Sequence, residues 1–254
     1  MDFLTRAAWG ARPLDHRARN MTAPASRLIV HHSDGAAAPF TTGLKGVERE
    51  HMDTRRWSGP AYNVAAGSQP GEAAELRGWG IQTIATLGAN AGSWTICAIG
   101  DFEDHEPPPA LLENVAVLAV EGIRRGHLAP NFVISGHRDH GQTACPGRFL
   151  YPHLAFLEAR VHELRGVPLP PTVPASERPV LRRGDRGQHV ASLQRAMREL
   201  AMQQIVGPAV FGPATERAVR NWQRFFGLPV DGVVDGGMWE TIYAVAALQG
   251  KVVR

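Results

Sequence analysis

Two short stretches of this 254-residue chain concentrate side chains able to hold a metal ion. The first, Arg27-Leu-Ile-Val-His-His-Ser33, ends an apolar run on His31 and His32. The second, Gly136-His-Arg-Asp-His-Gly-Gln-Thr-Ala-Cys-Pro-Gly147, supplies His137, Asp139, His140 and Cys145. A catalytic zinc takes three protein ligands and keeps a fourth position open for water or substrate. His137 and Cys145 stand eight residues apart, a span that a loop closes on one ion. The third donor must come from elsewhere, and the strand end at His31 or His32 is the natural source. Neighbours on a strand face opposite sides, so one of the two coordinates, and spacing does not say which. Cys145 lies in a polar loop, a poor place for an inert thiol, whereas Cys97 sits in an apolar strand pattern and reads as a core thiol.

These donors need a framework. The runs at 27–33, 61–66, 94–99 and 132–134 read as short strands, the last ending in Ser135-Gly136-His137. Between them, Leu111, Leu112, Val115, Leu118, Ala119 and Ile123 recur at helical spacing, as do Leu150, Leu154, Leu157, Val161 and Leu164. Strands interspersed with helices imply an α/β fold, a mixed β-sheet flanked by helices. Further on, three apolar stripes occur around Val190–Leu200, Ala218–Phe226 and Met238–Ala246, with Asp-Gly turn signals between the last two. They predict a small all-α three-helix bundle. Five prolines between Gly166 and Pro179 disfavour helix and central strand and favour a semi-rigid spacer. The expected organisation is therefore residues 1–165, a linker at 166–179, and residues 180–254.

Composition narrows the classes. With 44% hydrophobic and 20% charged residues the chain is neither disordered nor collagen-like, and its two cysteines form no disulfide framework. No apolar run approaches the roughly 20 residues that span a bilayer. The start, Met1-Asp2-Phe3-Leu4-Thr5-Arg6, carries no apolar signal region, so synthesis in a reducing cytoplasm without a signal peptide is expected. The net charge of +3 is uneven, −1 over residues 1–165 and +4 over 180–254, which suits an anionic polymer such as cell wall or nucleic acid. The arginines of the second part form no dense stripe, so nucleic acid is the weaker alternative.

In order along the chain, Arg6-Ala-Ala-Trp-Gly-Ala-Arg12, Ile29-Val-His-His-Ser33, Pro60-Ala-Tyr-Asn63, Arg77-Gly-Trp79, Asn90, Ile99-Gly-Asp-Phe102, Gly136-His-Arg-Asp139 and Thr143-Ala-Cys-Pro-Gly147 resemble the zinc N-acetylmuramoyl-L-alanine amidases related to peptidoglycan recognition proteins and phage lysins. The resemblance spans roughly residues 5–160 and implies a Zn2+ cofactor held by His31, His137 and Cys145. It implies catalytic side chains at Tyr62 and Thr143, and substrate contacts at Trp79 and Asn90. The implied reaction cuts the amide between N-acetylmuramic acid and L-alanine of peptidoglycan. Glu48, Glu50, His51 and His140 are candidates for protonating the leaving amine, and Asp139 for supporting a ligand or joining a structural ion pair. Two departures stand out: Thr83-Ile-Ala-Thr86 lacks the histidine that relatives often carry, and residues 67–77 lack the usual Asp-Gly turn, so an altered hairpin is expected. Leu181-Arg-Arg-Gly-Asp-Arg-Gly187, Leu193-Gln194, Phe211-Gly-Pro213, Gln223, Asp231-Gly232 and Trp239 resemble the three-helix peptidoglycan-binding domain of wall hydrolases. Together these imply a wall-lytic enzyme of the phage endolysin kind, acting at the bacterial cell wall without a membrane span; a monomer is the default expectation. The alternative is a recognition protein that binds wall fragments uncut; retention of the cysteine speaks against it, since non-catalytic relatives typically lose that residue.

Overall fold

An apolar run without polar alternation is the pattern of a strand covered on both faces, and residues 25–32 form such a strand, β1 (Ala25–His32), buried along most of its length. The computed structural model describes residues 3–35, 38–166, 179–200 and 209–248. Around β1 lie β2 (Val64–Ala66), β3 (Ala73–Glu75), β4 (Ser93–Ala98) and β5 (Leu128–Gly136). Their order in the sheet is β3-β2-β4-β1-β5. Pairings β1–β4, β1–β5 and β2–β4 are parallel, and β2–β3 is antiparallel. The sheet is mixed, as the pattern of strands and helices predicts.

Helix α2 (Pro109–Arg124) follows Pro107-Pro108 and buries the expected stripe, including Leu111, Leu112, Val115, Leu118 and Ala119. Its Gly122 lies against Trp94 of β4. The other face of the sheet, marked by Cys97 three residues further along β4, is covered by α1 (Phe40–Arg49) through Phe40, Leu44 and Val47. The sequence reading places no helix at α1. Its two glycines and two threonines are weak helix formers, and it persists through burial of an i, i+4, i+7 stripe, each large side chain contributing about 1.5–3 kcal/mol. Gly43 lets it approach the sheet, because a Cβ there would overlap Ile99 Cγ2. The last turn widens into a π-helical turn at Glu50–Thr54.

The hairpin expected to be altered is kept. Val64 pairs with Glu75 and Ala66 with Ala73. Polar groups replace the Asp-Gly turn: the Glu72 carboxylate accepts the Gln69 N–H at 2.9 Å, and Asn114 Nδ2 donates to the Gly67 and Gln69 carbonyls at 2.9 and 2.7 Å.

Packing divides the chain into Met1–Leu154 and Ala155–Arg254. The second unit holds α3 (Leu154–Leu164) from Ala155 onward, α4 (Gln188–Glu199), α5 (Pro213–Phe225) and α6 (Gly236–Leu248). The last three match the three predicted stripes. The addition is α3, whose Phe156 ring centroid lies 4.2 Å from that of Trp222 and 4.8 Å from that of Phe226. The expected linker falls outside the described residues except at its two ends. Buried amides organise the turns here. Gln223 Nε2 donates to Asp231 Oδ1 at 2.6 Å and to the Val233 carbonyl at 2.7 Å, while its Oε1 accepts the Gly232 N–H at 2.8 Å. Gln194 Nε2 likewise donates to the Val210 carbonyl and to Thr215 Oγ1, both at 3.0 Å.

One glycine of the first unit controls how the loop after β5 seats. Gly147 has φ +97°, and a Cβ there would overlap the Phe102 carbonyl group. Gly147→Ala is expected to cost more than about 1 kcal/mol, read as a lower urea midpoint at unchanged m.

Candidate metal centre

Val30 of β1 sits opposite Gly136 of β5 in a parallel ladder. The next residues, His31 near the end of β1 and His137 just past β5, therefore lie side by side, with ring centroids 4.6 Å apart. The 3-10 turn His137–Asp139 then bends the chain. Asp139 accepts the Gly136 N–H at 2.8 Å and the Tyr151 hydroxyl at 2.5 Å, which fixes that bend. The following loop returns Cys145, whose Sγ lies 3.6 Å from His31 Nδ1 and accepts the His32 N–H at 3.4 Å. Donor atoms of His31, His137 and Cys145 all fall within 4.8 Å of one another.

The geometry separates the histidine pair. His31 is paired across the ladder with Cys97 and turns toward the cluster. His32 turns elsewhere, its Nδ1 accepting the Phe102 N–H at 3.1 Å. Cys97 is a buried core thiol, as its apolar setting predicts.

His31 is fully buried, and its far nitrogen meets Thr86: Oγ1 lies 3.2 Å from Nε2. A proton on Nε2 donated to that hydroxyl leaves the Nδ1 lone pair free toward Cys145. Thr86 is a neighbour of the cluster that the sequence reading does not single out, because a lone threonine in a loop carries no signal of its own. Burial, reinforced by His137, holds the His31 imidazolium form far below the ordinary histidine range, and burial also lowers His137. Both rings are neutral lone-pair donors. Burial pushes the Cys145 thiol up to about 12, against the His32 N–H, which favours thiolate.

Tyr62 stands beside the cluster, its ring centroid 4.9 Å from that of His31 and 5.3 Å from that of His51. Burial raises its hydroxyl well above the usual phenol value, so it is a protonated donor at neutral pH. His51 sits on the π-helical turn with Nδ1 accepting the Ala61 N–H at 3.1 Å, which steadies the segment bearing Tyr62. Thr143 is at the exposed side of the loop, and its Oγ1 accepts the Cys145 N–H at 3.2 Å. Asn90 accepts the Thr86 N–H at 2.8 Å, one link behind the cluster.

Trp79 is not brought there. It is buried in a stack with Trp94, at 5.6 Å, beneath the Arg125 guanidinium. Trp94 lies opposite Leu28, at the end of β1 away from His31. Nor are two of the candidate proton donors: Glu48 is buried in a pair with Arg12 at 3.2 Å, and Glu50 pairs with Arg55 at 3.0 Å. His140 is held by Ser135, 2.9 Å from Nε2.

A sequence profile described as N-acetylmuramoyl-L-alanine amidase matches residues 21–148, half of the chain and all of the cluster. The chain belongs to that family. A profile of a peptidoglycan binding domain matches residues 186–242. Human N-acetylmuramoyl-L-alanine amidase is 32% identical over 153 residues, which are 58% of this chain and 26% of the relative, so the chain spans about a quarter of that protein. Peptidoglycan recognition protein 1 of Bos indicus is 32% identical over 159 residues, covering 59% of this chain and 80% of the relative. Among solved structures, the ectodomain complex of peptidoglycan recognition proteins LCa and LCx bound to tracheal cytotoxin aligns with TM-score 0.57 and 32% identity, over 59% of this chain and 93% of that one. Among the described residues no helix is long and apolar enough to cross a membrane.

The buried imidazoles make the fold acid-sensitive. Burial lowers His51 and His153 to about 4. Each folded ring stays neutral while the unfolded ring takes a proton below about 6.5. This stability is full above 6.5 and is lost as pH falls toward 4, by on the order of 3 kcal/mol per ring. Urea unfolding in the presence of a chelator is expected to show the loss between pH 6.5 and 4, and His51→Gln to flatten it.

Proposed function

We propose that this family member is a zinc-dependent N-acetylmuramoyl-L-alanine amidase that hydrolyses the amide joining the lactyl group of N-acetylmuramic acid to L-alanine. The observation that carries this reading is the convergence of His31, His137 and Cys145 beside Tyr62. Two imidazoles and one sulfur are a zinc donor set with one position left open. Tetrahedral zinc, with sulfur at about 2.3 Å and nitrogen at about 2.0 Å, separates those two donors by about 3.6 Å. Cys145 Sγ and His31 Nδ1 are 3.6 Å apart. When bound, zinc supplies the Lewis acidity that amide hydrolysis needs at neutral pH.

The chain's own residues do the rest. Thr86 holds the His31 ring so that Nδ1 faces inward. The protonated Tyr62 hydroxyl donates to the oxygen on which charge grows as the carbonyl is attacked. Thr143 shapes the Cys145 loop through the Cys145 amide, and its hydroxyl proton remains available to substrate. Trp79 acts through packing, and Asn90 supports Thr86 from behind. Of the groups considered for protonating the leaving amine, His51 and His140 remain; His51 packs against Tyr62, but burial lowers it to about 4 and so works against its carrying the proton at neutral pH.

The organisation proposed with this activity is a catalytic part at residues 1–165, whose last helix α3 packs with the second unit, a spacer at 166–179 and a wall-binding part at 180–254, acting as a monomer without a nucleic-acid partner. Tethering raises the effective concentration of the hydrolase at an insoluble substrate. This pairing supports a lytic role of the phage endolysin kind, with synthesis in the host cytoplasm and action at the cell wall. Recognition without cleavage is the competing reading, which the recognition-protein relatives favour by name; the intact cysteine donor argues against it.

Mass spectrometry of digested walls is expected to find free L-alanine N-termini and intact glycan; glycan cleavage or no cleavage rejects the proposal. Full-length Cys145→Ser is expected to lose bound zinc and wall clearing yet still sediment with walls. Tyr62→Phe is expected to keep zinc and lower kcat about 10²- to 10³-fold. Thr86→Val is expected to weaken zinc about 10- to 100-fold by chelator competition, with Thr86→Ser close to the parent.

A further inference from the structure

Apart from the His31–His137–Cys145 cluster, a cavity of about 290 Å³ opens between the segment around Arg17 and Arg19 and the loop that runs from Gln82 to Asn90. Arg17, Arg19 and Arg77 line it, with Gln82, Thr83 and Asn90, and no carboxylate is among its lining residues. The two segments are stitched together as neighbouring extended chains. Asn20 bridges to Ile81, the Gln82 N–H donates to the Arg19 carbonyl at 2.8 Å, and the Met21 N–H donates to the Gly80 carbonyl at 2.8 Å.

The charges are unequally compensated. Asp15 neutralises Arg17 in a two-pronged pair at 3.1 and 3.0 Å. Arg77 is only 1% exposed, and its three hydrogen bonds all go to neutral oxygens: the Gln82 and Pro60 carbonyls at 2.8 and 3.0 Å and Ser58 Oγ at 2.8 Å. Two of its five N–H groups are left over. Among the described residues no acid is seen to act on it; burial and the nearby Arg6 lower its pKa to about 10. Arg19 is exposed and has no ion pair among the described residues. The side-chain amides of Gln82 and Asn90 add N–H donors, since Asn90 uses only its oxygen, on Thr86.

A buried guanidinium ordinarily has a carboxylate partner, because an uncompensated charge in a low-dielectric setting is costly. Here two uncompensated guanidiniums and two amides converge on a cavity large enough for an oxyanion, and their planar forks match carboxylate or phosphate. We propose that this arginine-lined cavity is a subsite for an oxyanion of the wall substrate, seated between Arg19 and Arg77 and held by Gln82 and Asn90. Its link to the metal centre is short: Asn90 fixes Thr86, and Thr86 meets His31. Two sources present this chemistry in a wall: the free carboxylates of peptide stems and the phosphodiesters of wall glycopolymers. Only this choice of ligand rests on the peptidoglycan reading; binding of the anion does not.

Inorganic phosphate titrated into the full chain, followed on the arginine Nε–H signals by NMR, tests the site without any turnover. Saturable shifts confined to Arg19 and Arg77 are expected. Arg19→Glu is expected to weaken binding at least about tenfold, as loss of a charge-assisted hydrogen bond does. Arg49→Glu makes the same change in net charge at another exposed arginine and is expected to leave binding unchanged. Shifts that never saturate, or equal loss in both variants, overturn the proposal. Muropeptides with free and with amidated stem carboxylates then separate the sources. Weaker binding of the amidated form assigns the peptide, and equal binding together with competition by glycerol phosphodiester assigns the glycopolymer. Neither ligand displacing phosphate rejects a wall-substrate role. Amidase activity with no anion binding would leave the enzymatic reading standing and remove this one.

Discussion

Two parallel strands paired in one register must bring their next residues to the same place. Val30 opposite Gly136 makes those residues His31 and His137, and the rest of the centre depends on that register. A slip of one residue would turn His31 to the other face and bring His32 in its place. The register is strongly specified, because β1 is buried and paired on both sides by parallel strands. Ligand sites of open α/β sheets lie beyond the carboxyl ends of the strands, and here the ends of β1 and β5 carry the donors.

The polar groups around the cluster are arranged so that little charge is buried without an answer. Both imidazoles are held neutral, the Cys145 sulfur takes an amide proton from His32, and His31 finds Thr86. Asp139 anchors the turn between His137 and Cys145 through Gly136 and Tyr151. Satisfied networks of this kind are rigid, since each lost partner would leave a desolvated polar atom. The arginine-lined cavity is the contrasting case, where the buried guanidinium of Arg77 meets no carboxylate among the described residues.

In the second unit, the polar residues of the recurring pattern are structural. Gln194 and Gln223 use their amides to pin backbone that no helix or strand satisfies, and Trp222 and Trp239 fill the core. Residues 186–242 carry the match to a peptidoglycan binding domain. A match made of such residues identifies a scaffold.

Local pattern made much of this legible in advance. The unbroken apolar run of β1, the stripe of α2 and the three stripes of α4, α5 and α6 depend on near neighbours, which the chain states directly. The inventory of donors, His31 or His32 with His137 and Cys145, was legible for the same reason. Helix α1 was not, because its residues favour a helix only once Phe40, Leu44 and Val47 have a sheet to cover. The placement of α3 with the second unit followed from Phe156 meeting aromatic side chains more than sixty positions away along the chain. The choice of His31 over His32, the support from Thr86 and the burial of Trp79 away from the donors all turn on which face a strand presents and what lies opposite it. Side-chain type and spacing are properties of the chain, whereas facing and register come from pairing between distant segments, and only the folded sheet decides them.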